Sequence, residues 1–188
     1  MEFISKETYM IRRFSTPLFI FAFIISVTLI AEPLTPEQQE KVKKKLEQLK
    51  LLGSDETIIK EVKNLTATPP ISEMTNDKWK TLTLISPEVK ALTKNTLATY
   101  LKTKKDVSIT EMFVSDSAGN KLAFLSKTSS FCHKGKPKHD IPMTGKTWIG
   151  EVEIDESTGM QQIQVSFPVI DGKKPIASIV VGLTLSKL

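Results

Sequence analysis

Ser108-Ile-Thr-Glu-Met-Phe-Val-Ser-Asp116 opens a series of five apolar or apolar-alternating runs, and Ser117-Ala-Gly-Asn120 separates it from Lys121-Leu-Ala-Phe-Leu-Ser126. The third run, Thr147-Trp-Ile-Gly-Glu-Val-Glu-Ile154, ends at Asp155-Glu-Ser-Thr-Gly159. The fourth, Gln161-Gln-Ile-Gln-Val-Ser-Phe167, passes through Pro168-Val-Ile170 into Asp171-Gly-Lys-Lys174, and Ile176-Ala-Ser-Ile-Val-Val-Gly-Leu-Thr-Leu185 is the fifth. Period-two patterning bounded by Gly, Asn and Asp clusters predicts antiparallel strands joined by hairpins. Met112–Asp116 is expected to pair with Lys121–Phe124, and Glu151–Ile154 with Met160–Ile163. The fifth run is apolar on both alternating faces, with Ile176 and Val180 on one and Ala177, Ile179, Val181 and Leu183 on the other. That pattern requires cover on both sides and predicts a central strand. One connection is long: Lys127 to Lys146, about twenty residues, a length that inside a compact domain usually carries function or its own structure.

Upstream the periodicity changes to that of helices. Thr35 as N-cap, Pro36 at the first helical position and Gln38 at the third agree on a helix start. Val42, Leu46 and Leu49 form its apolar stripe, with Lys41, Lys43, Lys44, Lys45 and Lys50 mostly off it. Glu37, Glu40 and Glu47 are interspersed among those lysines, so the reading is a solvated outer face. Gly53 ends this helix, and Ser54-Asp-Glu caps another carrying Ile58, Ile59, Val62 and Leu65. A Thr/Pro-rich break from Asn64 to Met74 precedes a short helical segment around Trp79. One further helix is expected from Ser86-Pro-Glu-Val89 through Leu101. Helices followed by an antiparallel sheet make an α+β plan.

The chain has 188 residues, 40% hydrophobic and 25% charged, with a net charge of +5. Arg12-Arg13 precede an apolar run, Pro17 to Ala31, whose length suits a signal-peptide core and is short for a membrane span. Export is expected, with cleavage after Ala31 or retention of the segment as an anchor; residues 14–31 would then be the only membrane contact. Cleavage removes three basic and two acidic residues, leaving a net charge of +4 and no arginine. Bidentate reading of guanine or phosphate is arginine work. The remaining lysines are scattered without interleaved aromatics, so no nucleic acid partner is expected. The single cysteine, Cys132, excludes an intramolecular disulfide.

Several pieces in order resemble one family: Asp77-Lys-Trp79, Glu111-Met-Phe-Val-Ser-Asp116 with Gly119, Lys127-Thr-Ser129, Ile149-Gly-Glu-Val-Glu-Ile-Asp155-Glu-Ser157, Val165-Ser-Phe-Pro-Val169, and Pro175-Ile with Val181-Gly-Leu183. From about Leu51 to Leu188 the chain resembles the extracytoplasmic PDC, or Cache, sensor domains, and most the stand-alone, single-module exported kind. The resemblance implies a PAS-like fold, with a long N-terminal helix on one face of a five-stranded antiparallel sheet. It also implies a ligand cavity over the other face, roofed by the connector between the second and third strands. The expected division is a signal peptide or anchor at 1–31, a helical segment at 32–66 and the sensor domain at 67–188. Where related domains place an acidic aromatic patch after Lys-Thr-Ser, this chain has Ser130-Phe-Cys-His-Lys-Gly-Lys-Pro-Lys-His-Asp140.

Cys132, His133, His139 and Asp140 carry metal-ligand chemistry, but Cys132 and His133 are adjacent and no second pair has ligand spacing, so no metal or other cofactor is expected. Gly-x-Ser-x-Gly, His-Glu-x-x-His and a phosphate-cradling glycine loop are absent, and no nucleophile–base–orienter set is complete, so no enzyme is expected. On the fourth strand Ile163, Val165 and Phe167 share one face and Gln162, Gln164 and Ser166 the other. If that strand is covered on both sides, the polar face must meet a ligand or water; if not, it is solvated. Lys127, Lys134, Lys136, Lys138 and Lys146 give the connector five cations against Asp140. A cationic mouth selects anions; alternatively the lysines point outward and only keep the connector soluble.

The reading is therefore an exported, periplasmic or secreted, non-catalytic sensory module that binds a small molecule, a small anionic metabolite fitting best. The candidate ligand contacts are Lys127, Phe131, His133, His139, Trp148, Gln164 and Ser166. No membrane helix or output segment follows the last strand, so a signal would need a membrane receptor or another exported protein as partner. The competing reading is a PAS-like adaptor without an open pocket. If Ala31 precedes the cut, N-terminal sequencing of the exported protein begins at Glu32; a membrane-bound product beginning at Met1 or Met10 identifies an anchor instead.

Overall fold

A computed structural model of the chain describes residues 33–154 and 160–188. The expected export segment and the turn expected at 155–159 lie outside the described residues. Five strands form one antiparallel sheet: β1 (Ile109–Asp116), β2 (Lys121–Phe124), β3 (Trp148–Ile154), β4 (Gln161–Asp171) and β5 (Lys174–Thr184). Their order is β2-β1-β5-β4-β3, so β5 is central. Both expected hairpins are present, with Phe113 opposite Phe124 and Val152 opposite Ile163. Ile179 and Val180, neighbours on opposite faces of β5, are both fully buried.

The helices come first in the chain, and the first two and the last of the first five cover one face. α1 (Pro36–Lys50) starts with the full reciprocal cap: Gln38 N–H donates to Thr35 Oγ1, and Thr35 N–H donates to Gln38 Oε1. Such a cap satisfies two orphan donors at once. A short 3-10 turn over Leu51–Ser54 then separates α1 from α2 (Glu56–Ala67). The single long helix implied by the resemblance is thus two. Its break comes from Asp55, whose carboxylate accepts from Thr57 and Ile58 N–H and restarts the helix. Gly53 is required at the break, because a Cβ there would lie 2.3 Å from Pro168 O on β4. α2 runs through Ala67, so the proline-rich break starts later than Asn64.

Three shorter helices follow: α3 (Asn76–Thr81), α4 (Pro87–Thr93) and α5 (Thr96–Thr103). The helix expected from Ser86 through Leu101 is two, α4 and α5. Asn95 divides it: its Oδ1 accepts from Ala98 N–H to cap α5, while its Nδ2 donates to Leu122 O on β2. An asparagine offered both roles stabilises the break more than it would an unbroken helix.

Val42, Leu46, Ile58, Val62, Leu97 and Leu101 meet the sheet face made by Met112, Val114, Ile163, Val165, Ile179 and Val181. A smaller cluster on the opposite face joins Trp79, Phe113, Phe124, Phe131 and Val180. Beyond it lies the connector from Leu125 to Thr147, containing the one-turn helix α6 (Pro137–Asp140) and a 3-10 turn at Pro142–Thr144. The sheet is therefore a middle layer, with α1, α2 and α5 on one side and α3, α4, through Trp79, Val89 and Leu92, together with the connector on the other. Gly53→Ala should cost about 1–3 kcal/mol through overpacking against the β4 backbone, read as a lower urea midpoint with unchanged slope.

Candidate functional site

Two side chains of α3 set the connector's position. Asn76 Oδ1 accepts from Phe131 N–H and Cys132 N–H, both at 2.8 Å, and Asn76 Nδ2 donates to Cys132 O at 3.2 Å. Trp79 Nε1 donates to Thr128 O at 2.7 Å, with its ring at 5.7 Å from Phe124 and 5.6 Å from Phe131. Further along, His133 N–H donates to Gly119 O at 2.8 Å, tying the connector to the β1–β2 turn. The connector consequently lies flat on the sheet.

What it covers is polar. The alternation that puts Met112 and Val114 on the helix face puts Glu111, Phe113 and Ser115 beneath the connector, and β4 likewise turns Gln164 and Ser166 that way. Lys121, directly across from Ser115, is 1% exposed. Its amine lies 3.9 Å from the centre of the Phe113 ring and 3.0 Å from His133 Nδ1. His133 is 3% exposed and stacks on Phe113 at 4.8 Å between centroids. His139, on α6, is also buried, and its Nδ1 shares a 2.8 Å hydrogen bond with Ser178 Oγ on β5. Lys138 donates to Gln164 Oε1 at 2.8 Å, and Gln164 Nε2 donates in turn to Glu111 Oε1. Ser115 Oγ and Ser166 Oγ are buried and have no hydrogen-bond partner among the described residues. A buried hydroxyl without a partner costs about 1–3 kcal/mol.

Burial sets the protonation states. It holds the Lys121 amine well below its ordinary range; Glu111 opposes this, and the Lys138 and Lys136 charges reinforce it. The His133 imidazole is pushed down to about 2, by burial first and then by Lys121, Lys138 and Lys136. His139 is lowered as well, again by burial, with Asp140 and Asp116 opposing. His133 is thus neutral at physiological pH and shares a single hydrogen bond with Lys121 through Nδ1.

The sequence-derived candidates fall in three places. His133, His139, Gln164 and Ser166 belong to this layer. Trp148 lies opposite Ser166 on the edge strand β3, and its indole folds over Gly150, where a Cβ would lie 2.7 Å from the ring. Phe131 and Lys127 are with Trp79 instead: Phe131 packs on the indole and the Lys127 amine lies 5.0 Å above it. Lys121, Ser115 and Ser178 were not singled out. Ser178 stands inside an apolar run and Lys121 beside a turn asparagine, where a lysine is ordinarily solvated, so neither carried a signal.

The cavities beside the connector lie at its two ends. One of about 280 Å³ is lined by Pro69 to Met74, Asp116, Asn120, Lys121, Leu122 and Phe131. Another of about 480 Å³ lies between Lys50, Gly53 and Ser54 on one side and Gly145 to Thr147 with Phe167, Pro168 and Ile170 on the other. Between them Lys121 meets His133, Lys138 meets Gln164 and His139 meets Ser178, beneath the connector where the resemblance implied a cavity. Among the described residues no group of three or more His, Cys, Asp or Glu side chains is placed to hold a metal ion, and no helix is long and apolar enough to cross a membrane.

No protein-family model matches the chain, and no curated protein does. Solved structures do. The sensor domain of the V. cholerae histidine kinase DctB aligns over 80% of this chain and 53% of its own, at 16% identity and a TM-score of 0.50. The ligand-binding domain of the Pseudomonas aeruginosa PAO1 amino acid chemoreceptor PctC, in complex with GABA, aligns over 80% and 56%, at 10% identity and a TM-score of 0.46. That of the Pseudomonas fluorescens chemoreceptor CtaA with L-serine gives 80% and 56%, 14% and 0.41. The chain spans about half the length of these structures. Its fold, a five-stranded antiparallel sheet with α1, α2 and α5 on one face and α3, α4 and the connector on the other, is shared with the DctB sensor domain.

The buried imidazole has a measurable consequence. An unfolded histidine titrates near 6.5 while His133 in the fold titrates near 2, so between those values the unfolded chain binds the extra proton. Stability therefore falls as pH drops below about 6.5, by about 1.4 kcal/mol per pH unit per such group. Urea unfolding from pH 7 to pH 5 should lose about 2 kcal/mol more in the wild type than in His133→Phe. Equal losses in both would place the ring in water.

Proposed function

We propose that this protein is a non-catalytic sensory module that works outside the cytoplasm and binds a small molecule between its sheet and the connector. The single observation that carries this is the sealed polar layer. Ser115 and Ser166 are buried hydroxyls without partners, and an amphipathic sheet face needs no such groups unless something else completes them. The fold shared with a histidine-kinase sensor domain supports a sensory role. The apolar run from Pro17 to Ala31 behind Arg12-Arg13, with the length of a signal-peptide core, fits that location.

The ligand class that fits is a small anion. Lys121 and Lys138 lie in the layer against one acid, Glu111, and no arginine is described. Such a site holds a carboxylate by point charges and hydroxyls rather than by a planar fork. Its contacts are Ser166, Gln164, His133 and His139, with Trp148 as a wall; Phe131 lines the smaller cavity, and Lys127 stands over Trp79. A ligand would replace part of the internal hydrogen bonding, so the connector must lift for entry. The signalling partner is a membrane receptor or another exported protein.

A second reading is an adaptor that binds protein and no small molecule, and the filled layer favours it. Isothermal calorimetry with a panel of small carboxylates separates the two. Binding is expected, with His139→Ala weakening it about tenfold, near 1.4 kcal/mol, and Lys127→Ala changing it less. Binding of amines or apolar compounds alone rejects the anionic class. Failure to bind or co-purify any small molecule favours the adaptor.

A further inference from the structure

We infer that Lys121 is a carbonyl-capturing amine, holding a small 2-oxo acid or short aldehyde as a reversible imine beneath the connector. This rests on the ligand site proposed above and names a narrower ligand chemistry for it. Four observations converge. The amine is 1% exposed and has no carboxylate within ion-pairing distance among the described residues. Its polar neighbour is the nitrogen of a neutral imidazole at 3.0 Å, which fixes the direction of the amine. One side of it is an aromatic ring, which excludes water without offering a counter-charge. Ser115, opposite it in the strand register, carries one of the unpartnered hydroxyls, within reach of an oxygen on the same ligand.

A structural lysine in such a layer would be expected to reach a carboxylate, because a buried cation without one is costly. Here Glu111 is engaged by Gln164 instead. Glu111 on β1 is the acid facing the amine, while Lys136 and Lys138 on the connector add positive charge and Cys132 lies close by. Desolvation and neighbouring cations are the two ways proteins make a lysine nucleophilic, and the depressed basicity of the amine agrees with the geometry. Lys121 also borders the 280 Å³ cavity, which has room for a small metabolite. The lysines above favour a carbonyl compound that also carries a carboxylate.

The chemistry balances without an oxidant or reductant. The Nζ lone pair attacks the carbonyl carbon, and the carbonyl π pair moves to oxygen. A proton shifts from Nζ to that oxygen, giving a carbinolamine, while His133 Nδ1 keeps the nitrogen in position. A second proton shift lets the oxygen depart as water while the C=N bond forms. Hydrolysis reverses every step, so the capture is reversible and consumes nothing.

The full exported chain is incubated at neutral pH with pyruvate or glyoxylate and cyanoborohydride, and reduced adducts are mapped by peptide mass spectrometry. Lys121 should be labelled ahead of exposed lysines such as Lys134 and Lys173. His133→Phe, which keeps the stack on Phe113 and removes the hydrogen bond that orients the amine, should slow that labelling by on the order of 10-fold. Lys121→Met should abolish labelling at that position; thermal unfolding checks that both variants are folded. A folded wild type labelled only at exposed lysines overturns the inference, and so does an unchanged labelling rate in His133→Phe. Carboxylate binding by calorimetry without Lys121 adducts removes the imine and leaves the proposed ligand site standing; loss of both removes both.

Discussion

The side chain of Asn76 holds the upper layer in place. A connector running from Leu125 to Thr147 between two strands has no sheet of its own to satisfy its backbone, and burying unpaired amides is costly. Asn76 supplies three of those bonds, to Phe131 and Cys132, and Trp79 supplies a fourth, to Thr128. These bonds bring His133 down onto Phe113 and Lys121. α6 then brings His139 to Ser178 and Lys138 to Gln164. Without the α3 anchor there would be no lid over the sheet, and its polar face would simply be wet.

That face differs in kind from the one beneath the helices. The helix side is filled by aliphatic side chains. The connector side mixes an aromatic cluster with amines, imidazoles and hydroxyls, some of them unpaired. Packing energy can explain the first. The second costs free energy wherever it is incompletely bonded, so it reads as a place kept for something other than stability. The three bonded pairs, Lys121–His133, His139–Ser178 and Lys138–Gln164, each join the connector or β2 to a different partner, and together they close the space.

Much of this was legible in the sequence, and the reasons are physical. Period-two alternation identified the strands and the two hairpins, and the two-sided apolarity of Ile176 to Leu185 placed β5 at the centre. The split of β4 into an Ile163/Val165/Phe167 face and a Gln164/Ser166 face was readable for the same reason. What escaped was tertiary. Asn95 reads as an ordinary helix residue until Leu122 is beside it. Lys121 reads as a solvated turn lysine until His133 and Phe113 enclose it. Lys127, counted among the roof cations, is drawn aside by Trp79 because an indole face attracts an ammonium group. None of these follows from spacing along the chain.

The central position of β5 also orders events in time. The β1–β2 and β3–β4 hairpins share no hydrogen bonds with each other, and the strand that joins them is the last of the five. While the chain is being made, each hairpin can form only as an isolated ribbon, and such ribbons are marginal in water. The sheet, and the helix and connector layers that need it as a floor, can condense only after residues 174–184 are available. Closing contacts so distant in sequence is slow. The chain thus stays open, its sheet without a centre, until synthesis has passed its last strand.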